Sequence, residues 1–142
     1  MNALHDVASP RRRVFDDDTK ALCILQEDDD FVDMVRIFLE HTGLKVNITK
    51  NGQEGLNRLR HERPNVVILD ERTSGMDGFK VYMVMKQDVM LRHVPLVFIS
   101  HGILGEFPGV RHTKDIVTLP FNFDEFVEAI HWVIDAKTRD LH

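Results

Sequence analysis

Blocks of apolar residues alternate with polar, helix-patterned stretches along the chain. "ALCILQ", starting at Ala21, is a short apolar run ended by acids, which predicts a buried strand. "DDDFVDMVRIFLEHTG" follows, with Phe31, Val35, Phe38 and Leu39 at helical spacing and Gly43 as the stop. "KVNIT" alternates as a short strand with Val46 and Ile48 on one side. "NGQEGLNRLRHERP" predicts a helix that turns Leu56 and Leu59 inward and ends before Pro64. The second half repeats the theme: "NVVIL" as strand, "GFKVYMVMKQ" as helix, then "PLVFIS" and "DIVTLP" as strands. A last helix, "NFDEFVEAIHWVIDAK", carries Phe126, Val127, Ile130, Val133 and Ile134 on one face, with Asn122 and Glu125 in a capping-box pattern.

Five short apolar strands alternating with helices predict an α/β domain with a parallel sheet covered on both faces. One element lacks its signal. "HGILGEFPGVRHT", after Ser100, holds three glycines and a proline where a fourth crossover helix belongs, so an irregular segment is expected there. Residues 1–19 show no periodicity and are expected as a flexible arm, residues 20–137 as the domain, and residues 138–142 as a short tail.

Composition narrows the function. The 142 residues suit one domain, and a net charge of −5 offers no footprint for nucleic acid. "RRR" at Arg11 to Arg13 is the single basic cluster, in a polar stretch that reads as solvated. The single cysteine, Cys23, cannot form an internal disulfide, and no apolar run approaches a membrane span or a secretory signal. A cytoplasmic location is expected, with neither nucleic acid nor membrane as partner.

The chemistry gathers at strand ends. In an open parallel sheet, functional groups collect beyond the carboxyl ends of the strands. "QEDDD" follows the first strand and Asp70 ends the third. Were those strands neighbours, about 4.8 Å apart, Glu27 or Asp28 would share a pocket with Asp70. Clustered carboxylates repel unless a cation joins them, and Mg²⁺ prefers such oxygen ligands. Ser100 ends the fourth strand, where a hydroxyl would meet an oxygen held above Asp70. The plainer alternatives are a turn-capping carboxylate at Asp70, helix-capping acids at Glu27, Asp28 and Asp29, and an ordinary strand-end serine.

Together, "ILQEDD", "VVILDERTSGMDGF", "PLVFIS" and "TLPFNFDEF", in this order and spacing, resemble the receiver domain of two-component response regulators, over about Ala21 to Ala136. The resemblance implies a flavodoxin-like, five-stranded parallel sheet in the order 2-1-3-4-5. It also implies that Asp70 accepts a phosphoryl group from a histidine kinase, a phosphotransfer protein or a small phosphodonor, with Mg²⁺ required. Such a domain is not an enzyme in the usual sense, although it promotes its own phosphorylation. Carried over, Glu27, Asp28, Asp70 and the backbone carbonyl of Arg72 would hold the metal, with Asp29 as an alternative in the acidic pair, and Ser100 would hydrogen-bond the phosphate.

Three positions depart from the family pattern. Leu119 stands where a lysine contacts the phosphoryl group, Ile116 where an aromatic ring switches, and His101 where a small residue follows the serine. A cis bond at Leu119-Pro120 is also implied. The expected output is protein–protein contact with an unknown downstream partner, no output domain being encoded after the last helix. The rival is a phosphorylation-independent pseudo-receiver, an interaction module that keeps the fold.

Overall fold

The computed structural model describes residues 15–101 and 115–140, with side chains through residue 136. Five parallel strands form one sheet: β1 (Lys20–Ile24), β2 (Lys45–Thr49), β3 (Val66–Asp70), β4 (Leu96–Ser100) and β5 (Ile116–Thr118). Their order across the sheet is β2-β1-β3-β4-β5, as the resemblance implies. Four helices are described: α1 (Asp29–His41), α2 (Gly52–Glu62), α3 (Gly78–Gln87) and α4 (Phe123–Asp140). The irregular segment expected after Ser100 lies outside the described residues, apart from His101.

Strand parity splits the core into two. Ala21, Cys23, Val66, Ile68, Val97 and Ile99 face a cluster with Val35 and Leu39 of α1 and Phe126 and Ile130 of α4. Leu22, Ile24, Val67, Leu69, Leu96 and Phe98 face the opposite cluster, with Leu56 and Leu59 of α2 and Val81 and Met85 of α3. The central strands are continuous apolar runs because both of their faces are covered.

Local signals set the helix ends. Asp28 caps α1 by accepting from the Phe31 N–H, and Gly43, at φ 97°, lets the chain leave its last turn. Asn51 caps α2, and Arg63, at φ 49°, closes it before Pro64. The Asn122 side chain accepts from the Glu125 N–H at 2.8 Å, realising half of the capping box foreseen at α4.

Phe15 belongs to the fold rather than to an arm: it is buried, its N–H donates to the Thr42 carbonyl at 3.0 Å, and its ring stacks on His131 at 4.6 Å. A single aromatic in a charged run leaves no periodic trace, so only tertiary packing reveals it. At the other end α4 continues to Asp140. Leu119-Pro120 is cis. No helix among the described residues is long and apolar enough to cross a membrane.

Candidate functional site

The sheet order sets β1 beside β3 and β3 beside β4, so the carboxyl ends of these three strands meet at one edge. Ile24 pairs with Leu69 and Asp70 with Ile99, which brings the residues just past β1 and β4 alongside Asp70. Gln26, Asp70 and His101 are the side chains that converge there.

Asp70 is fully buried, the one charged residue so enclosed among the described residues. Burying a carboxylate is costly unless hydrogen bonds replace its water. Three donors do so here. Oδ1 accepts from the Arg72 backbone N–H at 2.8 Å and from His101 Nε2 at 2.8 Å, while Oδ2 accepts from Gln26 Nε2 at 3.1 Å. A carboxylate only accepts, so the Nε2 nitrogen of His101 carries the proton in this contact. Gln26 Nε2 lies 3.4 Å from the same imidazole nitrogen, two donors side by side on one carboxylate.

His101 is fixed from several directions. Its backbone N–H donates to Glu71 Oε1, and its ring is tilted against Phe31 of α1 with centroids 6.5 Å apart. The His101 side chain is only 9% exposed.

Close backbone packing holds the floor of the pocket. The Gly78 N–H donates to the Glu71 carbonyl at 3.1 Å, and Asp77 caps α3 by accepting from the Lys80 N–H at 2.9 Å. The loop between β3 and α3 is tied to the start of α2 by the Gly52 N–H, which donates to the Ser74 carbonyl at 2.8 Å.

The expected site residues divide into two groups. Asp70 sits at the centre of the pocket. Ser100 is buried at the end of β4, one residue before His101, and its carbonyl accepts from the Leu119 N–H at 3.0 Å. Arg72 contributes its backbone N–H to Asp70 and leaves its side chain exposed. The acids after β1 go elsewhere. Glu27 is exposed, Asp28 is spent on the α1 cap, and Asp29 forms an ion pair with Lys50. The hydrogen bond from Lys50 holds the Asp29 carboxyl below the ordinary aspartate range, and the same bond raises the Lys50 ammonium above its own.

As arranged, these residues do not fit Mg²⁺. Both Asp70 oxygens already accept hydrogen bonds, and the described residues include no group of three or more acidic, histidine or cysteine side chains placed to hold a metal ion. The side chain from β1 that reaches Asp70 is the neutral Gln26, not Glu27 or Asp28. In sequence the sign of this was Gln26 itself, the polar residue that directly follows the apolar run.

The departures on the far side of the pocket have packing roles. Leu119 packs against the cluster shared by α1 and α4, and Ile116 against the cluster shared by α2 and α3. An apolar contact thus occupies each position.

Comparison with known proteins agrees with this architecture. The chain matches the family model described as response regulator receiver domain over residues 22–131. It is 25% identical over 114 residues to the polar-differentiation response regulator DivK of Brucella anthropi, spanning 78% of this chain and 93% of DivK. A putative response regulator from Chloroflexus aurantiacus superposes with a TM-score of 0.69 at 20% identity, covering 82% of this chain and 98% of that one. The receiver domain of a sensor histidine kinase from Pseudomonas aeruginosa, whose active-site cleft holds a magnesium ion, superposes with a TM-score of 0.73 at 15% identity, covering 82% and 98%.

Proposed function

The chain belongs to the response regulator receiver domain family of two-component signalling, and on that premise we propose that Asp70 is its phosphoacceptor. The observation that carries the proposal is the place of Asp70: a fully buried carboxylate at the carboxyl end of the central strand, beside the ends of β1 and β4. A turn cap needs only the bond from Arg72 and gains nothing from burial. A nucleophile gains from being stripped of water and held in a single orientation.

In the proposed reaction a carboxylate oxygen of Asp70 attacks the phosphorus of a phosphohistidine or a small phosphodonor. The bond between phosphorus and the donor breaks, its electron pair leaves with the donor, and an acyl phosphate remains on Asp70. The donors now on Asp70 are positioned to exchange onto the phosphoryl oxygens, and Ser100, one residue before His101, is the proposed hydroxyl partner. The donor protein would be a histidine kinase or phosphotransfer protein, and the output a changed contact with a downstream protein.

Intact-protein mass spectrometry after incubation with acetyl phosphate tests the proposal. One added phosphoryl mass is expected in the wild-type chain and none in Asp70→Ala. A chain that stays unmodified where an ordinary receiver is labelled would instead act through fixed contacts, a reading favoured by the filled oxygens of Asp70 and the packed side chain of Leu119.

A further inference from the structure

We infer that His101 and Gln26 form a latch on Asp70, and that access of a cation or a phosphodonor to the carboxylate requires His101 to swing away. The inference rests on Asp70 being the acceptor for its link to phosphorylation, but the latch itself is a matter of geometry. His101 Nε2 sits 2.8 Å from Oδ1 and Gln26 Nε2 3.1 Å from Oδ2, so each oxygen carries a side-chain donor where an incoming cation or phosphorus atom would have to approach.

Two features make this a latch rather than a passing contact. The imidazole is enclosed, backed by the Phe31 ring, and its backbone is anchored on Glu71. The β1 side of the pocket supplies an amide where a carboxylate would repel Asp70. A second carboxylate would call for a cation, whereas Gln26 answers the Asp70 charge with an N–H. The latch therefore replaces, with the chain's own donors, part of what a divalent ion would do.

Release asks only for side-chain rotation: the His101 ring can turn away from Oδ1 while its backbone N–H stays on Glu71. Any ligand of Asp70 binds with its intrinsic affinity reduced by the fraction of molecules in which the latch is open. A hydrogen bond to a charged group is strong enough for its loss to change that fraction about tenfold or more.

The test measures Mn²⁺ binding by electron paramagnetic resonance, as a probe of the Asp70 oxygens, beside acetyl phosphate labelling followed by mass. Wild type, His101→Ala and Gln26→Glu are compared after circular dichroism confirms that each is folded. Binding of Mn²⁺ about tenfold or more tighter in His101→Ala, with faster labelling, is the expected result. Gln26→Glu, which removes the second donor and adds an oxygen ligand, is expected to tighten Mn²⁺ as well. Unchanged Mn²⁺ affinity in both folded variants overturns the latch whatever labelling does. Tightening in Gln26→Glu alone assigns the gain to the added charge and overturns the part given to His101. Tighter Mn²⁺ in His101→Ala with no labelling in any chain keeps the latch and removes Asp70 as phosphoacceptor.

Discussion

A β-carbon added at Gly78 would stand 2.2 Å from the carbonyl oxygen of Asp70 and 2.6 Å from the α-carbon of Glu71. Helix α3 thus begins against the backbone of Asp70 and Glu71, with no room for a side chain. The neighbours are backbone and cannot rotate away. Gly78→Ala is expected to cost about 1–3 kcal/mol of stability and to slow labelling of Asp70. Urea denaturation and the mass assay, run on the same samples, check both effects.

Asp28 separates the capping role from the metal role expected of it. Its Oδ1 accepts from the Phe31 N–H at 3.1 Å and closes the first turn of α1. Asp28→Ala is expected to lower stability by about 1 kcal/mol, while Asp28→Asn, which keeps the acceptor and removes the charge, stays near wild type. Equal losses in both would give the charge, not the cap, the larger part.

The Asp29–Lys50 pair gives a pH dependence with a definite sign. Asp29 has its folded value lowered from 3.8 by the hydrogen bond from Lys50, so its stabilisation is present above 3.8 and is lost as pH falls through the lower folded value. Lys50 has its folded value raised from 10.5 by the same bond, so its stabilisation is complete below 10.5 and is lost as pH rises through the higher folded value. The stability difference between wild type and Asp29→Asn should form a plateau between these limits and fall away outside them. The pair is at the surface, so the plateau is low and shrinks with added salt. Thermal denaturation across pH at two salt concentrations measures it.

Cys23 is buried within β1, and that burial pushes its thiol up to about 12. Thiolate is the reactive form. The native chain should leave a disulfide reagent unreacted at neutral pH, and urea should release one reacting thiol in step with unfolding. Rapid labelling of the folded chain would show that the β1 core opens locally.

Much of the fold could be read from the sequence because burial on two faces writes itself into strands such as "VVILD" and "LVFIS", and because caps such as Asn51 and Asn122 punctuate the helices. Asp70 was legible as well, as a carboxylate closing an apolar run. Its partners were not. The turn from β1 into α1 is tight, and a single residue of register decides whether Gln26 or Glu27 faces β3. Acids that are adjacent in sequence suggest a shared pocket, yet the start of α1 puts Asp28 and Asp29 on the exposed first turn. His101 stands out in the sequence as the residue after Ser100 where a small one is usual, but its bond to Asp70 follows only from β4 lying beside β3. Phe15 was equally hidden, since its contacts with Thr42 and His131 join distant parts of the chain.

The central claim is that Asp70 takes the phosphoryl group, and trapping the product chemically tests it most directly. Borohydride reduces an acyl phosphate to an alcohol, which converts an aspartyl phosphate to homoserine. After acetyl phosphate treatment and reduction, mapping of the peptide that spans Val66 to Lys80 should find homoserine at position 70 and nowhere else in the chain. An unaltered Asp70 beside a receiver that is converted under the same conditions, or homoserine at Asp28 or Asp29 instead, would contradict the account.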